Sequence, residues 1–564
     1  MGRVLTMRSA DRCLCFFAGT FLMGAALMSL VACGGSSSST PSNQPPTITT
    51  QPAGATISKG QTANLSVTAT GTSPLSYRWY QGSSGDTSTP VGTNSSSYSS
   101  PPLSTSTNFW VSVSDSGGSA NSSTATVSVV TPPANAVPSS YMGMQMNGGI
   151  IGKQPWPVVP FGTVRLWDAD VSWSDLEPTA PTPDFTNLDK WFTKIQNNIQ
   201  GNDPTADILY TFGRTPPWAS SNPNDTSCGF APGSCDPPND LNSDGSGADQ
   251  LWKDFVAAVV IHSAGRIKYY ELWNEIGNLP TWTGNAAQTA RMTSDAVQMI
   301  QSNDPNAIIV SPSVIIESSD GQSFLENYLS ALKNNYSTVL PSIGAIAFHG
   351  YVQKDNEPLM AENIINYLEQ TKPILATAGL GGKPLFDTEA SWGDTSVSNP
   401  PFTDPDMQAG FLARMYLVQW SENVSRFYWY QWNNKEFGTL WTPDPNDPSQ
   451  PGTVLPAGIA YGQVYQWLVG TVMSQGCTNS GSVWTCELTS TTPSGYQALV
   501  VWDASESCSN GSCTTSNYSF PALYRQYRDL AGNPTSLSGQ TSVPIGAKPI
   551  LLENQCADPK QCAI

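Results

Sequence analysis

Two stretches, "YYELWNEIGNLP" from Tyr269 and "PLFDTEASWG" from Pro384, each run through apolar residues and then deliver a glutamate, Glu275 in the first and Glu389 in the second. Two carboxyl groups aimed at one point can divide an acid–base task. One gives or takes a proton at an oxygen while the other attacks carbon or activates water. The division requires unlike surroundings, because one group must hold its proton near neutral pH and the other must stay ionised. A glutamate alone reads as a surface or salt-bridged carboxylate, so the pair means something only if the fold brings both together. Rival chemistries are short of parts. The chain has two histidines, His262 and His349, and His262 falls at the end of a helical pattern, where it reads as solvated or capping. Neither a Ser-His hydrolase nor a histidine-based metal hydrolase can be assembled.

The elements that must position the pair are short apolar runs alternating with amphipathic segments. The runs are "YMGMQMN" from Tyr141, "TVRLWDAD" from Thr163, "ADILYTFGR" from Ala206, "IKYYELWNE" from Ile267, "AIIVSPSV" from Ala307, "AIAFHGYV" from Ala345, "PLFDTEASW" from Pro384 and "RFYWYQWN" from Arg426. Between them lie helical patterns such as Leu188, Trp191, Phe192, Ile195 and Ile199, which keep one face apolar. Eight strand–helix units of this kind predict a (β/α)8 TIM barrel over residues 141–472. An open doubly wound sheet is the alternative, but no GxGxxG or GxxxxGK[ST] follows any run. Barrel sites form where strands end at the C-terminal face. Glu275 and Glu389 end the fourth and seventh runs, on opposite sides of an eight-membered ring, and so can face one another. Facing carboxyls are what glycosidic cleavage requires, with separation setting the stereochemical outcome.

Together "VRLWDADVSWSDLEP", "YTFGRTPPWAS", "YYELWNE", "AFHGY" and "FDTEASWG" resemble the retaining glycoside hydrolases of clan A, and within it most closely family 39. The resemblance covers the barrel and extends toward the C-terminal region. It implies Glu275 as acid/base, Asn274 as the amide binding the sugar hydroxyl beside the reacting carbon, Glu389 as nucleophile and Arg165 as the arginine near it. His349 and Tyr351 match the pair that closes the pocket after strand six. Hydrolysis by double displacement would need no cofactor. One departure is plain: the residue after the acid/base is commonly proline and here is Ile276, which bears on the loop after strand four. A carbohydrate-binding surface protein with a catalytically weak barrel is the competing reading, and it would be expected to lose a carboxylate that this chain keeps.

Among the tryptophans at or near strand ends, Trp218, Trp392, Trp429 and Trp432, the expectation is that Trp218 and Trp432 wall sugar subsites. "DLNSDGSGAD" copies the start of a calcium loop with Asp240, Asn242, Asp244 and Asp249, but Leu251 stands where the loop's glutamate belongs, so a helix-entry turn is expected and no metal.

Flanking segments set the compartment. Arg3, Arg8 and Arg12 precede an apolar stretch ending in Leu30-Val31-Ala32-Cys33, which resembles a lipoprotein signal over residues 1–32 and implies acylation at Cys33 and anchoring to the outer membrane or cell surface. Residues 33–46 are a Ser/Gly/Pro tether. Residues 47–130 alternate Thr, Ser and Val between Gly and Pro breaks and predict an N-terminal β-sandwich; they resemble bacterial immunoglobulin-like modules with Trp79 in the core. A linker covers 131–140, and strand and turn signals over 473–564 predict a C-terminal β-domain. Beyond Cys13, Cys15 and Cys33, eight of the 11 cysteines remain, in four close pairs: Cys228 and Cys235, Cys477 and Cys486, Cys508 and Cys513, Cys556 and Cys562. Such spacing predicts local disulfides in an oxidising compartment. The formal net charge is −18, or −20 without the first 32 residues, which excludes nucleic acid as a natural partner.

Overall fold

A computed structural model describes residues 44–555 apart from 59–61, 102, 104, 131–135, 180, 201–205, 353–358, 394–401 and 491–494. The leader, Cys33, Cys556 and Cys562 lie outside the described residues. Eight parallel strands close a barrel in chain order: β1 Met142–Gln145, β2 Thr163–Leu166, β3 Asp207–Thr211, β4 Tyr269–Glu271, β5 Ile308–Val310, β6 Ile343–His349, β7 Leu385–Ala390 and β8 Val424–Trp429. All eight apolar runs supply a strand. Helices follow seven of them: α1 Thr186–Ile195, α2 Gln250–Ser263, α3 Ala286–Asn303, α4 Ser319–Asn335, α5 Ile364–Ala378, α6 Pro405–Ser421 and α7 Pro456–Leu468.

The expected eighth helix is missing after β1, where only a one-turn 3-10 helix, Gly148–Ile150, intervenes before β2. Helices α6 and α7 take its place. The hydroxyls of Tyr416 and Tyr461 both donate to the Gly143 carbonyl, at 3.2 and 3.1 Å, and Tyr141 donates to the Tyr416 carbonyl at 2.5 Å. Glycine at 143 is required by this packing, since a Cβ there would come within 2.6 Å of the Tyr428 ring.

Inside the barrel, side chains alternate along each strand and stack in layers. The middle is apolar: Leu209, Tyr269, Val310, Ala345, Ala347, Phe386 and Tyr428 form one buried cluster. The layer above it, toward the strand C-termini, is polar, with Arg165, Thr211, Glu271 and Thr388 all buried. That layer is the base of the site.

The N-terminal unit is a β-sandwich with its own core. Its main sheet runs Ala55–Ser58, Ala125–Val130, Thr107–Asp115, Ser76–Gln81, Thr89–Val91, with Gly118–Asn121 also paired to Thr107–Asp115. Trp79 is fully buried there, stacked at 5.8 Å on Tyr98 beside Phe109, Val111 and Val127. The C-terminal region forms a six-stranded antiparallel sheet. It is not a detached module, because Met473, Cys477, Trp484, Cys486 and Trp502 belong to the same apolar cluster as the barrel. Trp502 Nε1 also donates to Glu362 at 2.7 Å, the carboxylate that Arg414 of α6 holds. Disulfides join Cys228 to Cys235, Cys477 to Cys486 and Cys508 to Cys513, as the spacing predicts. No helix of the described residues is long and apolar enough to cross a membrane. A cavity of about 580 Å³ lies where sandwich, barrel and C-terminal sheet meet, lined by Ser128, Glu369 and Trp484, and it is remote from the glutamate pair.

Candidate active site

Two local backbone features turn Glu275 and Glu389 into the barrel mouth. Phe386 and Thr388 point inward on β7, so regular alternation would send residue 389 outward. Register shifts between Asp387 and Ala390 against β8, and between Phe348 and His349 against β7, break the phase and re-aim Glu389. Glu275 follows β4 in the left-handed region, at φ 51°. That conformation costs a non-glycine residue on the order of 1 kcal/mol or more and persists only where neighbours hold it. Ser313 does so: its Oγ accepts from Glu275 N at 3.0 Å and its carbonyl from Ile276 N at 2.9 Å. The second bond explains the departure at Ile276, whose N–H a proline would lack.

Arg165 on β2 is the hub. Its Nε donates to Glu271 at 2.8 Å, Nη1 to Glu389 at 2.8 Å and to Gln145 at 3.0 Å, and Nη2 to Asn274 Oδ1 at 2.7 Å. Burial opposes a charge on this guanidinium, but Glu271 and Glu389 outweigh it and hold Arg165 cationic. Beneath, Glu271 accepts from Thr211 at 2.6 Å and Thr388 at 2.9 Å, so the hub is itself anchored. Asn274 spends its oxygen on Arg165, which leaves its NH2 as donor for a ligand. Glu389 accepts from Tyr351 OH at 3.0 Å as well as from Arg165, and Glu275 pairs with His349 Nδ1 at 2.8 Å and accepts from Asn278 at 3.2 Å. The structure therefore brings together Glu275, Glu389, Asn274, Arg165, His349 and Tyr351, all six singled out around the pair. One ligand atom from each of Glu275, His349 and Glu389 lies within 4.8 Å of the others. Arg165 already supplies the positive charge there, bonded to Glu389 and 3.4 Å from His349 Nε2, so the trio is a poor cradle for a metal ion.

The proton balance of this group has two arrangements. Burial alone would raise Glu275, but the hydrogen bond and charge of His349 bring it below its ordinary range. For His349, burial works against the cation, yet Glu389 and Glu275 raise its pKa. Glu389 is raised, by burial first, with His349 and Arg165 pulling the other way and Glu275 adding to the rise. In that arrangement the proton rests on His349. The Arg165 guanidinium, 3.4 Å from His349 Nε2, favours the other, since its positive charge opposes a cation on the ring. Moving one proton of the imidazolium across the 2.8 Å from Nδ1 to Glu275 leaves His349 neutral, with its remaining hydrogen on Nε2, and makes Glu275 an acid. Glu389 keeps its two donors in both cases.

Of the two tryptophans expected to wall the site, Trp432 is closed off. Trp432 is 1% exposed and stacked at 6.4 Å on Trp441, and its backbone N–H donates to the Gln145 carbonyl at 2.9 Å. Trp218 is half-buried against Trp173, with its indole N–H on the Glu177 carbonyl at 2.7 Å. Trp432 is spent on the scaffold, as are Trp392 and Trp429, packed together at 5.2 Å in the core. Residues not singled out from sequence take part instead: Glu271, Gln145, Trp167, Tyr430 and Asp168, the last accepting from Tyr430 and Arg214. The available signal was phase, since Arg165, Thr211, Glu271 and Thr388 occupy inward positions where the middle layer is apolar. His262 lies on α2, 2.9 Å from Asp189 and stacked on Phe185, clear of the pair.

The acidic loop is a helix entry. Asp240 Oδ2 accepts from the N–H groups of Gln250 and Leu251 at the start of α2, and Asp244 from Ser246. Asp249, fully buried, is pushed up to about 9 by burial and by its carboxyl contact with Asp295. A carboxyl whose folded pKa exceeds its unfolded value contributes stability that is full below about pH 4 and lost as pH rises through 9. Asp249→Asn, neutral and similar in shape, is therefore expected to flatten the fall in Tm of the wild-type protein between pH 5 and pH 9. An unchanged slope by differential scanning fluorimetry counts against a raised Asp249 pKa.

A family model described as "Ig-like domain CHU_C associated" matches residues 44–133. No match is found among curated protein sequences. Among solved structures, the chain is similar to a family 39 glycoside hydrolase from the gut symbiont Bacteroides cellulosilyticus WH2, with TM-score 0.52 and 13% identity over 88% of this chain and 98% of that one. It is also similar to a glucosidase from Croceicoccus marinus, with TM-score 0.47 and 15% identity over 75% and 96% of the two chains. A family 30 subfamily 8 xylanase from Clostridium acetobutylicum aligns with TM-score 0.42 and 13% identity over 70% and 88%. At these identities the likeness is one of fold.

Proposed function

We propose that the chain is a glycoside hydrolase that cleaves O-glycosidic bonds of oligo- or polysaccharides with retention of anomeric configuration. The observation that carries the reading is the approach of Glu275 and Glu389 to within 4.8 Å at their nearest ligand atoms. Retaining enzymes set their carboxyls about 5 to 5.5 Å apart, whereas inverting ones leave about 6.5 to 9.5 Å for a water. A Glu389 oxygen attacks the anomeric carbon while Glu275 protonates the departing oxygen; water then enters, gives its proton to Glu275 and releases the sugar from Glu389. Arg165 and Tyr351 orient the Glu389 carboxylate and stabilise its charge. His349 holds the proton that Glu275 delivers, and Asn274 offers its NH2 to the hydroxyl beside the reacting carbon. A binding protein built on a weak barrel has no use for so fully bonded a pair.

Proton NMR of the first-formed sugar tests this, with retention expected and inversion excluding the mechanism. The polypeptide is further proposed to be exported and acylated at Cys33, supported by the lipobox-like sequence and by three disulfides, which belong to oxidising compartments. In this scheme the N-terminal sandwich is a spacer. Its apolar core is separate from that of the barrel, so removal of residues 34–135 is expected to leave kcat/KM on a small aryl glycoside within about twofold; a folded truncation without turnover counts against the spacer role.

A further inference from the structure

Phe230 is an aromatic ring left 48% exposed yet fixed on several sides. The Cys228–Cys235 disulfide closes its loop. The Arg214 guanidinium lies 3.6 Å from the ring centroid, and Trp167 meets the ring edge-on at 5.7 Å. Trp167 in turn lies 6.0 Å from Arg165, which holds Glu389. On the other side, Gly229 N donates to the Pro280 carbonyl at 3.1 Å, and a Cβ on Gly229 would come within 2.7 Å of the Pro280 ring. The disulfide loop is thus seated on the turn that follows Glu275. Leu279, next to Pro280, is 60% exposed. Two apolar side chains therefore flank the seam between these loops, on the Glu275 side of the mouth. A rigid aromatic surface left facing water, within reach of a polar pocket, suits the CH face of a sugar or an aryl ring.

We propose that Phe230 and Leu279 form the subsite for the leaving group, the sugar or aryl ring that departs when Glu275 protonates its oxygen. This rests on the hydrolase reading and adds the side on which the departing ring sits. Because that ring is lost in the first step, the subsite acts only on substrates that have one. A glycosyl fluoride has the same donor sugar and no ring to stack, so it serves as the control.

The experiment measures kcat/KM of wild type, Phe230→Ala, Phe230→Trp and Leu279→Ala on para-nitrophenyl glycosides, the matching disaccharides and the matching glycosyl fluorides, across a panel of donor sugars. Phe230→Ala is expected to lower kcat/KM about 3- to 10-fold on the ring-bearing substrates, the size of one lost stacking contact, and to leave the fluoride unchanged. Phe230→Trp is expected to restore it. Cys228→Ser/Cys235→Ser, which frees the loop, is expected to show the same leaving-group dependence. Equal losses on the fluoride, or no loss on any substrate, overturn the assignment and leave the hydrolase reading standing. A wild-type protein inert on every donor, the fluorides included, overturns both.

Discussion

Glu389→Gln is expected to lose turnover on every substrate, while Glu275→Ala is expected to lose it in proportion to how poorly the leaving group departs. The difference follows from what each oxygen does. Without the Glu389 carboxylate no covalent intermediate forms, and leaving-group ability cannot compensate. Without Glu275, a poor leaving group loses protonation that contributes about 10²- to 10⁴-fold, whereas a dinitrophenolate needs little help and its formation should be nearly normal. Azide is then expected to speed breakdown of the intermediate formed by Glu275→Ala and give a product of retained configuration. Small anions acting on a Glu389→Ala variant should instead give inverted product. Equal losses in the two variants irrespective of leaving group would show that the roles are misassigned. The pairing of Glu275 with His349 at 2.8 Å adds a further expectation. His349→Ala should behave as a milder Glu275 variant, with its loss concentrated on poor leaving groups.

Arg165→Met is expected to damage the fold as well as the reaction. The guanidinium is fully buried between Glu271 and Glu389, and its removal leaves Glu271 with only the hydroxyls of Thr211 and Thr388. Breaking such a buried pair from one side costs about 3 to 5 kcal/mol. At roughly 2 to 4 °C per kcal/mol for a large domain, Tm should fall by about 10 °C. The double variant Arg165→Met/Glu271→Gln removes both charges and is expected to recover much of the Tm without recovering turnover, since Glu389 still lacks its partner. If the single variant keeps its Tm, the polar layer does not support the barrel as argued; if the double variant regains activity, Arg165 is structural alone.

These contacts also show what could be read from the chain before folding. Every barrel strand was legible, because each is an apolar run bounded by amphipathic helix or loop. The convergence of Glu275 and Glu389 followed from their places at the ends of the fourth and seventh runs. What was not legible depended on phase and on three-dimensional neighbours. Glu271 sits four residues before Glu275 and reads as one more charged residue in a strand until its inward direction is known. Trp432 looks like a sugar platform by type and position, but it is stacked on Trp441 and closed off, a pairing that its sequence position does not announce. The missing helix after β1 could not be inferred, because the hydroxyls that replace it come from Tyr416 and Tyr461, far along the chain.

The seam of the barrel joins the beginning of its chain to the end. Val137 N donates to Thr471 O at 2.8 Å, Gly470 N donates to Val137 O at 2.9 Å, and β1 pairs with β8 only after α6 and α7 supply the tyrosines that cap Gly143. A ribosome delivers the first of these partners long before the last. The sandwich has its own core and can fold as soon as it emerges, whereas β1 must wait with an unpaired edge until the final helix is made. Until the last helix is made, that waiting edge is the exposed point of the nascent chain. The same seam places entry and exit of the barrel side by side, at the face opposite the glutamates.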